Sequence, residues 1–219
     1  GDRAVVEVGR YGWTLPIPIV KGASGWSFDT AATPDELRAR RIGRKIGLTS
    51  LAVQKQLGVG TPDFGSLLDD MVVPAGGAVP RGALLQPKVE AEVAFVLSAD
   101  LDGPLEDVAE VRAAVGGAMA AIEIVDSRVA DWKIKIQDTI ADNASSAALV
   151  LGGRPTRLHD IDPALIGATL RKNGEIVETG CSGAVLGNPA IAVAWLANKV
   201  AQFGVALEPY IFASRANVV

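Results

Sequence analysis

The sequence has few of the residues that cross-link a small protein or bind soft metals. Its 219 residues include one cysteine and one histidine. Cys181 therefore has no partner for an intrachain disulfide, and a cysteine-based zinc site is excluded. A nucleophilic role for Cys181 is also disfavoured, because the single histidine, His159, lies in a loop-like stretch where we expect it to be exposed. The cysteine usage fits a reducing compartment.

Long apolar runs and basic clusters are missing as well. No apolar stretch approaches the ~20 residues that a membrane helix needs, and the first residues, GDRAVVEVGR, lack the layout of a signal peptide. The formal net charge of −4 provides no basic surface for nucleic acid or anionic lipid. We therefore expect a cytoplasmic protein that binds neither nucleic acid nor a membrane.

The remaining composition is that of a globular protein, with 49% hydrophobic and 21% charged residues. Strand-like and helix-like stretches alternate without a regular βαβ order, so the sequence predicts an α+β fold. The first 33 residues read as short strands and turns, and TPDELRARRIG reads as a helix capped by Thr33 and ended by Gly43. KIGLTSLAVQKQLGV begins as a strand and continues as a helix.

Five later stretches have interpretable patterns. PLEDVAEVRAAVGG predicts a helix ended by Gly116 and Gly117, and AMAAIEIVDSRV predicts a buried strand. The alternation in DWKIKIQD predicts a strand with Trp132, Ile134 and Ile136 on one face. GATLRKNGEIVETG predicts a hairpin turning at Asn173-Gly174. GNPAIAVAWLANKVAQFG predicts a helix from an Asn188 cap and Pro189 to a stop at Gly204.

Two carboxylates share one face of a predicted strand in KVEAEVAFVL. Side chains alternate along a strand, so Glu90 and Glu92 point the same way as Ala94 and Val96. Adjacent carboxylates heading into a core need compensation. A solvated edge face, an ion pair with Lys88, or a hard divalent cation such as Mg²⁺ would each provide it.

A third carboxylate, Glu123, lies in the middle of the apolar stretch AMAAIEIVDSR. A buried carboxylate needs a positive partner. One interpretation pairs Glu123 with Arg128 or Lys133. The other joins it to Glu90 and Glu92 as one face of an octahedral metal site with positions left for substrate.

A polar cluster follows in DTIADNASSA. It contains Asp138, Thr139, Asp142, Asn143, Ser145 and Ser146. These residue types are common in caps and turns. They are equally suited to donate hydrogen bonds to a substrate carboxylate, and both interpretations stay open on the residues alone. Lys45 in RKIGLTS and Asp63 in TPDFG are further candidates of the same kind.

Several ordered strings carry a family resemblance. KIGLTSLAVQKQLGV, PDFGSLLDDM, PKVEAEVAFVL, AAIEIVDSRVADWKIKIQDTIADNASSAALVLGG and GNPAIAVAWLANKVAQFGVAL resemble the 2-oxopent-4-enoate (2-hydroxypenta-2,4-dienoate) hydratases. These enzymes belong to the fumarylacetoacetate-hydrolase-like superfamily and act in the meta-cleavage degradation of aromatic compounds. The likeness covers roughly residues 44–207. It implies a mixed β-sheet roll with flanking helices and a homo-oligomer.

The resemblance also implies a site. Glu90, Glu92 and Glu123 match the positions that hold Mg²⁺ or Mn²⁺ in the family. Lys45 and Asp63 match the pair that handles protons, and Ser145 matches a substrate-binding position. The implied reaction is hydration of 2-hydroxypenta-2,4-dienoate, by ketonisation and then conjugate addition of water, to give 4-hydroxy-2-oxopentanoate.

Both ends of the sequence depart from the hydratase pattern. Residues 1–43 resemble an uncharacterised bacterial family, so we expect a foreign N-terminal segment at 1–43 and a hydratase-like catalytic domain at 44–219. The family continues past GVAL with a glycine-rich strand and further strands, whereas here the sequence is EPYIFASRANVV. We therefore expect the sheet to be incomplete at the C-terminus.

Three other functions remain open on the sequence. The same metal site serves 2-oxo-3-enedioate (4-oxalocrotonate) decarboxylases, which need an extra cation for a second carboxylate, and acylpyruvate-type hydrolases, which need a His–Glu pair. A non-catalytic remnant is the alternative of a different class, for which the altered ends are the argument.

Overall fold

The structure is a computed structural model that describes residues 2–4, 6–8, 13–14 and 17–215. Among the described residues, strands outnumber helices. The strands are β1 (Arg3–Ala4), β2 (Glu7–Val8), β3 (Trp13–Thr14), β4 (Ile19–Gly22), β5 (Gly25–Phe28), β6 (Arg41–Gly47), β7 (Asp63–Leu68), β8 (Val72–Val73), β9 (Lys88–Leu97), β10 (Val115–Val125), β11 (Ser146–Leu151), β12 (Gly167–Lys172), β13 (Glu175–Cys181) and β14 (Ile211–Arg215). The helices are α1 (Thr33–Arg40), α2 (Leu51–Leu57), α3 (Val108–Ala114), α4 (Ile136–Ala141) and α5 (Pro189–Ala201). The predicted α+β class is confirmed.

A mixed seven-stranded sheet forms the centre of the molecule, in the order β7-β6-β14-β9-β10-β11-β8. Antiparallel β9 and β10 make the longest pairing, from Lys88 opposite Val125 to Leu97 opposite Val115. β14 runs parallel to β6 and antiparallel to β9. The segment EPYIFASR thus supplies a strand between these two, and the expectation of missing C-terminal strands stays a prediction.

The two faces of the sheet have different partners. On one face, Val93, Phe95 and Leu97 of β9 pack in the main core, together with Val111 of α3 and Leu196 of α5. The other face has a smaller apolar cluster, which consists of Leu67, Ala94, Ala121 and Leu149. Because side chains alternate along a strand, the even-numbered residues of β9, including Glu90 and Glu92, belong to this second face.

The apolar sequence of helix α5 fits its buried position. The Asn188 side chain accepts a hydrogen bond from the Ala190 N–H at 3.0 Å, and Pro189 occupies the first turn, as predicted. The helix ends at Ala201, and Gly204 follows with φ +69°. Residues 182–201 are long and apolar enough to cross a membrane, so the expectation that no apolar stretch approaches ~20 residues was wrong. Within this stretch, α5 packs on the sheet with Ala192, Val193 and Leu196 fully buried.

Two other local predictions are confirmed by the structure. The stretch from Lys45 is a strand followed by α2, which Ser50 caps by accepting a hydrogen bond from the Val53 N–H. β12 and β13 form the predicted hairpin, with Asn173 and Gly174 at φ 53° and 88°, as a type I′ turn requires.

Two helix ends were predicted wrongly. α1 ends at Arg40, and Gly43 lies inside β6, so the predicted boundary between residues 43 and 44 falls within a strand. α3 ends at Ala114, and Gly116 and Gly117 lie in β10. A Cβ on Gly117 would lie 3.0 Å from the Pro155 Cβ and 3.1 Å from the Thr156 oxygen. This glycine therefore allows the segment at 155–156 to pass close to β10, and it does not end a helix.

The predicted strand at 132–136 is also wrong. A 3₁₀ turn covers Ala130–Trp132, and α4 begins at Ile136. The Asp138 carboxylate accepts a hydrogen bond from the Lys135 N–H at 2.8 Å, which starts the helix in the capping-box manner. Trp132 is held separately, because its Nε1–H donates to the Gln86 oxygen at 3.0 Å. Local capping therefore overrides a short alternating pattern.

The described strands before residue 29 form two small sheets of their own. β1, β4 and β5 make a three-stranded sheet, and β2 pairs with β3. This agrees with the predicted short strands and turns. Trp26 and Phe28 on β5 are 50% and 58% exposed, so this sheet does not bury its large side chains within the described residues.

Candidate metal and substrate site

Strand register brings the three glutamates together. Glu123 on β10 lies directly opposite Glu90 on β9, and Glu92 lies opposite Ala121. Glu123 has no exposed surface, Glu92 is buried, and Glu90 is partly buried. One oxygen from each carboxylate can be chosen so that the three lie within 4.8 Å of one another. The structure therefore places Glu90, Glu92 and Glu123 in one cluster.

The positive partner of this cluster comes from β6. The Lys45 ammonium is buried and lies 3.2 Å from Oε2 of Glu123. The cations considered from the sequence are elsewhere. Arg128 pairs with Asp142, and Lys133 pairs with Asp131. The Lys88 ammonium lies 4.0 Å from the centre of the Trp132 ring.

One lysine does not compensate the acidic groups around it. Both oxygens of Glu92 and Oε1 of Glu123 are buried and have no hydrogen-bond partner among the described residues. Oxygen atoms in this state are costly unless a cation or a proton satisfies them. A cluster of carboxylate oxygens is the ligand set that Mg²⁺ and Mn²⁺ prefer, so the residues present fit such an ion. That these residues bind it stays a prediction.

The acidic surroundings shift the pKa values of two groups in the site. Burial raises the pKa of Glu92 well above its usual range, and the carboxylates of Glu123 and Glu90 raise it further, while Lys45 acts in the opposite direction. For Lys45, burial by itself lowers the pKa. The carboxylates of Glu123, Asp63, Glu90 and Glu92 outweigh the burial, so the Lys45 pKa lies above its ordinary value. Lys45 is therefore a cation at neutral pH.

Asp63 reaches the same region from β7. It pairs in register with Gly47, and Lys45 pairs with Gly65. A Cβ on Gly47 would lie 2.3 Å from the Asp63 Oδ1 and 3.2 Å from the Lys45 Nζ, so the two polar groups converge over this glycine. The Asp63 Oδ1 is buried and has no hydrogen-bond partner among the described residues.

The predicted cluster in DTIADNASSA divides into capping residues and site candidates. Asp138 caps α4, and the Thr139 hydroxyl donates to the Ile136 oxygen at 2.9 Å. The Asp142 carboxylate accepts a hydrogen bond from the nearby Ser145 hydroxyl, whereas the Asn143 amide is bonded to the backbone of Ser66 on β7. The Ser145 hydroxyl is buried and donates to Oδ2 of Asp142 at 2.9 Å, with acceptor capacity left for a ligand.

The turn that carries Ser145 has an unusual backbone. Asn143, Ala144 and Ser145 all have φ 54°, in the left-handed region. For residues other than glycine this conformation costs ~1 kcal/mol or more each, and it persists only where the surroundings enforce it. Such strain is concentrated at functional sites, which is a reason to consider this turn part of one.

Two further buried hydroxyls belong to Ser146, which the sequence analysis named in the DTIADNASSA cluster, and to Thr49, which it did not name as a candidate. Oγ1 of Thr49 and Oγ of Ser146 have no hydrogen-bond partner among the described residues. Thr49 belongs to the quoted string KIGLTS, and Ser146 follows Ser145. The residue type of Thr49 did not indicate a function, because isolated threonine residues are common in loops. Its burial distinguishes it.

The remaining candidates lie away from the cluster. The His159 side chain is 71% exposed, as predicted, and its Nε2 is 2.8 Å from Oδ1 of Asp160. Cys181 is an exposed free thiol at the end of β13. Neither residue contacts the glutamates, so the structure gives no His–Glu pair of the kind that a hydrolase would use, within the residues that it describes.

Comparison with protein families places the chain in a known group. The fumarylacetoacetate (FAA) hydrolase C-terminal family matches residues 43–209, and a protein family of unknown function (DUF2950) matches residues 1–58. The chain therefore belongs to the fumarylacetoacetate hydrolase family. The resemblance expected for both parts of the sequence is confirmed.

Similar proteins have hydratase names. The chain is 51% identical over 178 residues to a 2-keto-4-pentenoate hydratase of Paraburkholderia phymatum, covering 80% of this chain and 68% of the relative. It is 52% identical to one of Burkholderia vietnamiensis, covering 77% of this chain and 64% of the relative. It is 49% identical to a 2-hydroxypent-2,4-dienoate hydratase of Pseudomonas putida, with 76% of each covered. The chain thus spans about two thirds to three quarters of these relatives.

Solved structures agree on the fold. The 4-oxalocrotonate decarboxylase of Pseudomonas putida G7, complexed with magnesium and adipate, superposes with a TM-score of 0.81 at 38% identity, covering 86% of this chain and 73% of that one. The fumarylpyruvate hydrolase of Pseudomonas aeruginosa, in complex with Mn²⁺ and pyruvate, has a TM-score of 0.60 at 16% identity, covering 82% and 77%. The second likeness supports the fold alone.

Proposed function

We propose that the chain catalyses the metal-dependent hydration of 2-hydroxypenta-2,4-dienoate to 4-hydroxy-2-oxopentanoate. The observation that carries the proposal is the convergence of three glutamates with unsatisfied buried oxygens beside one buried lysine. Relatives about 50% identical over most of this chain have the hydratase name, which supports the choice of reaction. The pathway would be the meta-cleavage degradation of aromatic compounds.

Glu90, Glu92 and Glu123 would hold Mg²⁺ or Mn²⁺. When bound, the cation supplies a Lewis acid that orients a 2-oxo acid and stabilises the negative charge that develops next to its carboxylate. The chain's own residues then have to move protons and place water. The substrate loses the proton of its 2-hydroxyl and gains one at C5, water adds to C4 through its oxygen, and a proton arrives at C3.

Lys45 and Asp63 are suited to opposite parts of this proton transfer. The Lys45 ammonium lies 3.2 Å from Oε2 of Glu123, in a position from which it would donate a hydrogen bond or a proton to the substrate. The Asp63 carboxylate has an unsatisfied oxygen and would accept a proton from the attacking water. Ser145 would contact the substrate through its hydroxyl.

The setting we propose is a cytoplasmic homo-oligomer that acts on a small molecule and binds neither nucleic acid nor a membrane. Its support is the family membership and the names of the relatives, which are enzymes of small-molecule catabolism. The division into a segment at 1–43 and a catalytic domain at 44–219 is part of the same proposal, supported by the two family matches.

The test is a direct assay. Purified protein is incubated with 2-hydroxypenta-2,4-dienoate and Mg²⁺ or Mn²⁺, and the loss of the dienoate ultraviolet band is followed together with the appearance of 4-hydroxy-2-oxopentanoate. We expect turnover that EDTA abolishes and added cation restores. Metal binding without turnover would contradict the hydratase proposal and favour the non-catalytic remnant.

A second candidate is decarboxylation of 4-oxalocrotonate. It is favoured by the 38% identity and close superposition with the decarboxylase of Pseudomonas putida G7. A substrate with a second carboxylate needs another cation near the site, and Arg128 is already paired with Asp142. We therefore rank this reaction below hydration. Assaying 4-oxalocrotonate in parallel, with release of CO₂ as the readout, decides between them.

A further inference from the structure

The turn Asn143–Ser145 is tied to the edge of the central sheet by one side chain. Oδ1 of Asn143 accepts a hydrogen bond from the Ser66 N–H at 2.7 Å, and its Nδ2 donates to the Ser66 oxygen at 2.9 Å. β7 is the edge strand of the sheet, so the Asn143 amide takes the place of a neighbouring strand. The amide thus binds both backbone groups of Ser66, and this contact holds the Asn143 side chain on β7.

The backbone of the turn also lies directly on β7. A Cβ on Gly65 would be 2.3 Å from the Asn143 carbonyl oxygen and 2.9 Å from its carbonyl carbon. Only glycine admits this contact. Gly65 is the register partner of Lys45, and Asp63 lies two residues earlier on the same face of the strand. The turn is therefore fixed at the position where the proton-handling residues are held.

The left-handed turn is held from its other side too. The Ser145 oxygen accepts a hydrogen bond from the Asp126 N–H at 2.8 Å, at the end of β10. The Ser145 N–H and hydroxyl both donate to Asp142, each at 2.9 Å. Asparagine adopts the left-handed region more readily than most residues, so position 143 meets both the backbone and the side-chain requirement.

We propose that Asn143 is a positioning residue that fixes the Ser145 turn relative to β7, so that the Ser145 hydroxyl and the Asp63 carboxylate act on the same substrate. This inference rests on the proposed function. Asn143 itself does not touch the substrate. It acts through the strand that carries Asp63 and through the turn that carries Ser145.

The Asn143→Gly variant tests the proposal, because glycine keeps the left-handed backbone and removes only the amide. We expect kcat for the dienoate to fall about 10- to 100-fold, as for a small misplacement of reacting groups. The KM and the Mn²⁺ affinity should change less than about threefold, because the three glutamates lie on other strands. Asn173→Gly is the matched control: Asn173 has φ 53° in the β12–β13 hairpin, and its variant should keep full turnover.

A double-mutant cycle with Ser145→Ala separates positioning from general destabilisation. If Asn143 acts through the turn, Asn143→Gly costs much less in kcat when Ser145 is already alanine. Gly65→Ala should reproduce the loss, since its Cβ displaces the turn. An equal loss from Asn143→Gly in both backgrounds, or no loss, overturns the proposal.

Assays of the wild-type protein distinguish a failure of this proposal from a failure of the proposed function. Turnover of the dienoate by the Mn²⁺-loaded wild type keeps the proposed function and leaves the cycle to decide on Asn143. If the Mn²⁺-loaded wild type does not turn the dienoate over, the proposed function fails, and the positioning role fails with it. An active wild type whose kcat is unchanged in Asn143→Gly contradicts the positioning role alone.

Discussion

Glu123 has no exposed surface, and only one of its carboxylate oxygens has a hydrogen-bond donor among the described residues, the Lys45 ammonium. A buried ion pair roughly offsets its own desolvation cost, and it does so only when the remaining lone pairs are satisfied. The second oxygen of Glu123 and both oxygens of Glu92 are not satisfied by the protein. The same residues that make the cluster unfavourable for folding thus make it favourable for a cation.

Replacing Glu123 by glutamine should abolish cation binding with little change in shape. Losing an outer-shell partner of a ligand costs about 10- to 100-fold in metal affinity, so losing a ligand should cost at least ~100-fold. Mn²⁺ binding followed by electron paramagnetic resonance checks this, with Glu175→Gln on the exposed β13 strand as the control. Unchanged affinity together with unchanged turnover in Glu123→Gln would exclude the proposed site.

The raised pKa of Glu92 gives the metal-free protein a characteristic pH dependence. Folded Glu92 keeps its proton above the ordinary carboxyl pKa of 4.5, whereas the unfolded chain releases it. Unfolding is therefore favoured as pH rises from 4.5 towards the folded pKa, by up to ~1.4 kcal/mol per pH unit for one proton. Measured in EDTA, the free energy of unfolding of the wild type should fall relative to Glu92→Gln over this range. A constant difference between the two proteins would contradict the raised pKa.

At the scale of strands and helices, the sequence predicts partners within one strand better than partners between strands. Alternation was enough to put Glu90 and Glu92 on one face. The approach of Glu123 depends on the register of β9 and β10, and that of Lys45 depends on β14 lying between β6 and β9. Neither approach follows from a local pattern. The family resemblance indicated Glu123 and Lys45 as site residues, but physical reasoning from the sequence did not predict that Lys45 is the partner of Glu123.

Short patterns also compete with capping. In DWKIKIQD, three alternating apolar residues predicted a strand, but one Asp138 hydrogen bond to the Lys135 N–H starts a helix instead. The longer predictions, such as α5 and the β12–β13 hairpin, were reliable because a cap or a turn signal agreed with the apolar pattern. The wrong end of α3 shows the reverse case, in which glycines needed for a close chain crossing resemble a helix stop.

The pairing of β6 with β7 predicts a site-specific effect of Gly47. In Gly47→Ala the new Cβ would lie 2.3 Å from Oδ1 of Asp63, so that the carboxylate must move. We expect kcat to fall about 10-fold or more because Asp63 is displaced, while Mn²⁺ affinity is retained. Gly167→Ala, also in a strand but with no atom within 4 Å of its added Cβ, is the matched control and should behave as wild type. Equal kcat values for the two variants would remove Asp63 from the proton-transfer scheme.

On the scale of the whole molecule, the main apolar core and the proposed metal site lie on opposite faces of one sheet. The main apolar core lies between the sheet and α3 and α5, and the carboxylates lie on the face with the smaller cluster. We therefore expect folding of the core not to require the cation, in contrast to small metal-dependent domains that are unfolded without metal. The cation should therefore modulate the stability of a protein that is already folded.

Metal removal tests this separation. In EDTA we expect a folded protein with a cooperative thermal transition, because the main core is built from buried apolar side chains. Addition of Mg²⁺ or Mn²⁺ at 100 times its dissociation constant should stabilise the protein by ~2.7 kcal/mol, which is a rise in Tm of several degrees. Differential scanning calorimetry of the wild type and of Glu123→Gln measures both effects, and the variant should show no metal-dependent rise. Loss of all cooperative unfolding in EDTA would mean that the carboxylate face is needed for folding, and an identical metal-dependent rise in both proteins would place the cation elsewhere.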